Sequence, residues 1–220
     1  MPSTPTAALN APESRWPAVM AVLAAGALYT VLPGSLAVGP RGLVPGLAGG
    51  LALLSLVAHR RGYFWLNIIL GHLISGILTA FMLWSLALLI RALPAHTQTP
   101  VALLRSAATL WAVNVLVFAL WYWRLDAGGP HARDGRTKHE TGAFLFPQMT
   151  LDGPAGQEPD GSPWSPRFID YLFLAFNTST AFSPTDVPVL GRWAKVLVMI
   201  QAGISLAVVA LLAARAVNVL

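Results

Sequence analysis

Apolar and polar positions along this chain fall into long blocks, not into the short alternation of a wetted surface. Residues 16–40, 42–58 and 62–90 contain no Asp, Glu, Lys or Arg. Crossing about 30 Å of hydrocarbon takes roughly 17–25 apolar residues at about 1.5 Å each. The first block breaks at Pro33-Gly34 and predicts a helix from Trp16 to Leu32. The second is barely long enough to cross and ends at His59-Arg60-Arg61. The third opens on the interfacial pair Phe64-Trp65 and is long enough to tilt. Past Pro94 and Pro100, a fourth span runs over 103–123 and closes on the aromatic belt Trp121-Tyr122-Trp123.

Beyond Asp126 the pattern changes. Residues 126–166 hold thirteen Gly or Pro among 41 positions, with mixed charges and no long apolar run, which reads as an extramembrane loop without its own core. Phe144-Leu145-Phe146-Pro147 within it is expected to dock on the membrane surface. Ser165-Pro166 then marks a helix start. The apolar stretch that follows turns polar at Asn177-Thr178-Ser179-Thr180, so the helix over 166–180 is about 22 Å long and too short to cross. Pro184 and Pro188 stop it from continuing through the polar turn at 181–188 into the last span, 191–220. The expected fold is therefore an all-α integral membrane protein of about five transmembrane helices, with a re-entrant half-helix before the last. Residues 1–15 read as a disordered tail, 16–100 as the N-terminal helices and 101–220 as a C-terminal unit.

Composition supports a lipid solvent. Of 220 residues, 55% are hydrophobic and 10% charged, where soluble domains carry about 25% charged residues. A net charge of +5 fits basic loops facing anionic headgroups better than it fits nucleic acid. With no cysteine, thiolate chemistry and Cys-ligated metal are excluded. All nine acids lie outside the predicted spans, Glu13 in the tail and eight between Asp126 and Asp186, which argues against a carboxylate relay at membrane depth. No catalytic constellation, phosphate loop or dinucleotide fingerprint is present, so no enzyme activity and no cofactor are expected. His131, Asp134, His139 and Glu140 lack metal-site spacing.

Few polar residues remain within the spans. His72 and Ser75 share a helix face at i, i+3, and a neutral His72 bonded to a neighbouring helix is the expected reading. Gln201 and Ser205 share a face at i, i+4 and either line a wet path or bond across helices. A helix ending at membrane depth needs burial in protein or a water-filled cavity. The groups at this break are Thr178, Ser179, Thr180, Ser183, Thr185 and Asp186, suited to a cation.

Phe176-Asn-Thr-Ser-Thr-Ala-Phe-Ser-Pro-Thr-Asp186, followed by Gly191-Arg192, resembles the pore loop of the two-span potassium-channel module. In that family a pore helix leads through Thr-Val-Gly-Tyr-Gly-Asp to a Gly-Arg and an inner helix. Gly203 falls near that helix's hinge glycine, and the specific part of the likeness is 165–205. Between Thr180 and Asp186, however, the chain reads Ala-Phe-Ser-Pro-Thr with no glycine, so potassium selectivity by the family's carbonyl filter does not carry over. The whole chain also resembles an uncharacterised family of bacterial multi-pass membrane proteins, through Gly39-Pro-Arg41, Phe118-Ala-Leu-Trp-Tyr-Trp123, Leu145-Phe-Pro-Gln-Met149, Ala181-Phe-Ser-Pro-Thr-Asp186 and Ala214-Arg-Ala-Val-Asn218. That implies a bacterial inner (plasma) membrane.

Two functions are expected from this. One is a homotetrameric, channel-like pathway for monovalent cations, with Thr178, Ser179, Thr180, Phe182, Ser183, Thr185, Asp186, Gln201 and Ser205 lining it. The other is a non-conducting scaffold or accessory subunit whose loop only packs; a small-molecule carrier comes third. Charge placement conflicts with the first. With five spans, ten Lys or Arg fall on the side holding Arg15 and Arg124 and four on the other, which favours the first side as cytoplasmic. The tail and short loops alone count three against three before Arg215, so the bias rests on the long loop. A channel pore loop would enter from the opposite side.

Overall fold

The computed structural model describes residues 12–37, 39–95, 99–134, 142–151, 156–158, 164–183 and 186–217, with backbone alone at 93–95, 100 and 214–217. Seven α-helices are described: α1 (Trp16–Leu28), α2 (Leu43–Arg60), α3 (Phe64–Ala95), α4 (Pro100–Leu125), α5 (Pro130–Asp134), α6 (Phe168–Ala181) and α7 (Arg192–Val217). Among the described residues, four segments are long and apolar enough to cross a membrane: Leu43–Arg60, Phe64–Ala92, Val101–Gly128 and Arg192–Ala213. The all-helical expectation holds at this level.

The first predicted span differs. α1 has 13 residues and tightens into a 3-10 turn at Tyr29–Val31. Leu32 is extended (φ −69, ψ 139) because the following Pro33 disfavours helical geometry before it. Trp16–Val31 is therefore a shorter apolar helix, not a fifth segment of spanning length. It lies against α2 through small residues. A Cβ built on Gly26 would sit 3.0 Å from Ala48 Cβ and 3.2 Å from Pro45 Cα, so glycine is what lets the two backbones close.

α4 is the central helix, packed on α1, α3, α6 and α7. Thr99 starts it by accepting the Ala102 N–H on its side chain, with Pro100 at the first helical position. Its far end meets a cluster of charged side chains, among them Glu13, Arg15, Asp126, Arg133 and Asp134. Asp126 is fully buried there and takes the Ala143 N–H on Oδ1 and the Tyr171 hydroxyl on Oδ2, at 2.7 Å. Gly142 has no Cβ at a point where one would lie 2.1 Å from Asp126 Oδ1.

These contacts correct the reading of the 126–166 loop. Phe144 and Phe146 do not dock outward on a membrane surface but are buried, ringed by Tyr122, Tyr171, Trp164 and Trp193. Phe144 pairs with Val189 in an antiparallel bridge, with Leu145 N–H to Pro188 O at 3.0 Å and Leu190 N–H to Ala143 O at 2.7 Å. The loop thus packs its aromatics into the helix bundle.

The tail also differs from a disordered segment at its inner end. The Glu13 side chain is 9% exposed. Its carboxylate accepts Trp123 Nε1 at 2.9 and 3.0 Å and the Phe168 N–H at 2.6 Å, and it pairs with Arg15 and Arg133 at 3.4 Å. A carboxylate among two guanidiniums and a helix N-terminus is favoured there. Residues 1–11 lie outside the described residues.

Replacing Gly26 by Leu should lower thermal stability in detergent by about 2 kcal/mol through overpacking. Gly46→Leu, at a position with open space around it, should cost little in the same unfolding measurement.

Candidate functional site

α6 has 14 residues and starts beside Trp123, whose ring meets Phe168 edge-on at 5.7 Å. Fourteen residues span about 21 Å, so it ends partway along α4. There Trp111 Nε1 donates to Ser179 O at 3.4 Å, and the Trp111 ring meets Phe176 at 5.7 Å. The chain then returns to the end it left, where Leu190 and Gly191 donate to Ala143 O. Gly191 abuts Ala143 too closely for a side chain: a Cβ there would fall 2.7 Å from Ala143 Cβ. Phe182, at the apex, is left-handed (φ 59), an uncommon state for a bulky residue.

The interior of this out-and-back segment is polar and closed. Gln201 of α7 is fully buried. Its Nε2 donates to Ala175 O at 2.7 Å and to Ser179 Oγ at 2.8 Å, and its Oε1 accepts the Tyr122 hydroxyl. Both amide hydrogens and the carbonyl are therefore used. Asn114 of α4 donates to Ser205 Oγ at 2.8 Å and to Gln201 O at 3.3 Å. Thr178 bonds back to Leu174 O at 2.9 Å. Of the two readings of Gln201 and Ser205, bonding across helices is what the geometry has.

The predicted lining thus divides. Thr178, Ser179, Gln201 and Ser205 are buried within the protomer, while Thr180, Phe182, Ser183 and Asp186 are exposed at the tip and return segment. Thr180 bonds its own helix at Phe176 O. Thr185 lies outside the described residues. α7 stays helical through Gly203, so no bend marks the position matched to a hinge.

A second polar region was not singled out from the sequence. It lies where α1, α2, α3, α5 and the end of α4 meet. Arg124 lies against Gly71 of α3, where a Cβ would fall 1.7 Å from Arg124 Nη1, and over the Trp123 ring at 5.2 Å. Its Nε is sealed from solvent without an acceptor. Among the described residues no carboxylate pairs with it, whereas Arg15 pairs with Glu13 and Asp134 and Arg133 with Glu13. Asn67 Nδ2 donates to Ser55 O and Oγ at 2.7 and 2.8 Å. A carbonyl can only accept, so Asn67 Oδ1 faces His131 Nε2 at 2.7 Å and that nitrogen carries a hydrogen. The His131 ring packs on His59 and Phe64. His72 Nδ1 lies 2.8 Å from Ile68 O of its own helix, so its bond is local and not to a neighbour. Among the described residues no group of three or more His or acidic side chains could hold a metal; His139 and Glu140 lie outside them.

Gln201→Leu keeps the volume but strands Tyr122 Oη and Ser179 Oγ, and should cost about 3 kcal/mol in unfolding assays, against under about 0.5 for Ser183→Ala. His131 sits outside the spans, and burial, then Arg15, push it down from 6.5 to about 4. The unfolded chain therefore binds the extra proton first, and the contribution is complete above pH 6.5 and lost as pH falls toward 4. A stability–pH profile of His131→Asn should be flatter than wild type in that window. No family model matches the chain, and no curated protein or solved structure does, so the functional reading rests on these residues.

Proposed function

We propose that the chain is a multi-pass protein of a bacterial inner membrane that acts as a non-conducting scaffold or accessory subunit. In this reading α6 and its return segment form a re-entrant hairpin that closes an interface within the bundle. The observation that carries it is the use of Gln201. A conducting path needs polar groups free to face ions or water, and here both amide functions of Gln201 bond to α4 and α6. Ser179 and Ser205 are held in the same network, and Thr178 is buried beside it. To line a path between copies, these side chains would have to break out of the protomer's own packing, and buried unpaired polar groups are costly.

Orientation supports the same reading. The hairpin leaves from and returns to the end holding Arg15, Arg124 and Arg133. On the five-span count, ten of the fourteen basic residues belong to that side of the sequence, most of the excess in the long loop, and this favours the cytoplasm for it. A scaffold accommodates a cytoplasmic hairpin, whereas the potassium-channel module would need it outside.

The test is reconstitution of the full chain in liposomes with Na⁺ and K⁺ gradients, beside native mass spectrometry in nanodiscs. The expected result is no flux, no difference between wild type and Asp186→Asn, and a monomer, dimer or hetero-complex. A tetramer whose cation flux falls in Asp186→Asn would overturn this reading and put Asp186 at a channel mouth.

A further inference from the structure

The Arg124 region has the features of a ligand site rather than of packing. Two clefts meet at its guanidinium. One, a shallow cleft of about 30 Å³ that is partly open to solvent, is lined by Arg15, Ser55, His59 and Asn67 on one side and by aliphatic residues of α1 and α2 on the other. The second, of about 40 Å³, is lined by His72, Gly129 and His131. Asn67 and Arg124 border both. The described walls are cationic or neutral: Arg15 and Arg124 contribute charge, and Asp134 is bound to Arg15 and the Glu13 N–H.

The Arg124 guanidinium is half-buried, its Nε is sealed without an acceptor, and among the described residues it has no counter-charge, an arrangement that favours an added anionic partner. Two structural details hold it there. Gly71 leaves the space for Nη1, and the Trp123 face supports the plane. Both fix the fork's orientation and neither supplies an acceptor. The neighbouring imidazoles offer hydrogen-bond donors or acceptors without negative charge, and His131, pushed down to about 4, is neutral at pH 7. Among the described residues none supplies that acceptor, and the chemistry that complements the fork is an anion with several acceptor oxygens.

The geometry points to a phosphate-binding site in which Arg124, assisted by Arg15, pairs with a phosphate oxyanion between α1, α3 and the α4–α5 turn. A guanidinium fork matches phosphate oxygens two at a time, which favours this class over a simple halide. The position, at the polar ends of the apolar helices, and the aliphatic wall of the first cleft suit the headgroup of an anionic phospholipid. Free inorganic phosphate is the other source of the same chemistry.

The experiment uses the full chain, purified in detergent and delipidated, with native mass spectrometry of phosphatidylglycerol and phosphatidylcholine adducts. A parallel arm measures thermal shift with inorganic phosphate in the absence of lipid. Wild type should retain phosphatidylglycerol in preference to phosphatidylcholine, and Arg124→Gln should weaken that binding about tenfold, the loss of one charge-assisted pair. Gly71→Ala keeps every charge but pushes the guanidinium from its seat, and should weaken binding to a similar degree; this variant serves if Arg124→Gln fails to fold. Arg60→Gln with Arg61→Gln removes two exposed charges nearby and should change binding less than about twofold. A phosphate-induced shift lost in Arg124→Gln, without lipid preference, would identify soluble phosphate as the source and still support the site. Equal binding by wild type, Arg124→Gln and Gly71→Ala would overturn it, as would an equal effect of the Arg60/Arg61 pair.

Discussion

One constraint organises the C-terminal half: a helix that stops inside a bundle leaves carbonyl groups that water cannot reach. α6 stops there; Trp111 donates to Ser179 O among its last carbonyls, and the side-chain amide of Gln201 bonds Ala175 O and the Ser179 hydroxyl beside them. The same amide receives Tyr122 from α4. Three helices are thus joined at one residue, and their mutual height is set by hydrogen bonds whose reach is about 3 Å. Apolar packing alone would tolerate sliding. The polar contacts select one register.

At the other end of α6 the requirement is opposite in sign. Its first N–H groups need acceptors, and Glu13 and Asp170 provide them, bonding to Phe168 N and Arg167 N. Glu13 comes from the start of the chain, so α6 cannot be anchored until the N-terminal region has docked on Trp123 and Arg133. Asp126 does the equivalent for the loop, taking Ala143 N and Tyr171 in one carboxylate. The acids at this end serve mainly as acceptors for backbone and hydroxyl donors, which explains why so few of them organise so much chain.

Much of this was legible in the sequence. Charge-free blocks located the helices, because lipid excludes charge over a whole crossing length. The length of the 166–180 stretch located a helix that does not cross. What the pattern hid was the destination of isolated polar residues. Nothing in the spacing of Gln201 and Ser205 distinguishes a wet path from a buried bond, since both put amides on one face. Phe144 and Phe146 looked like surface anchors because their neighbours are glycine, proline and charge; their burial depends on Val189 and Tyr171, distant in sequence. Glu13 looked solvated for the same reason, its partners lying more than a hundred positions away. The Arg124 cleft left only one trace, Gly71, one of two glycines in α3, and that trace has meaning only once α3 and α4 are adjacent.

The shortness of α6 also bears on how the chain is assembled. A segment of about 21 Å cannot cross a bilayer by itself, so it has no stable place there until its partners exist. Asn114 and Tyr122 precede it in the chain, whereas Gln201 follows it. In the membrane reading proposed above, the hairpin therefore settles into its slot only once α7 is present to supply the Gln201 amide, and its docking follows the synthesis of α7.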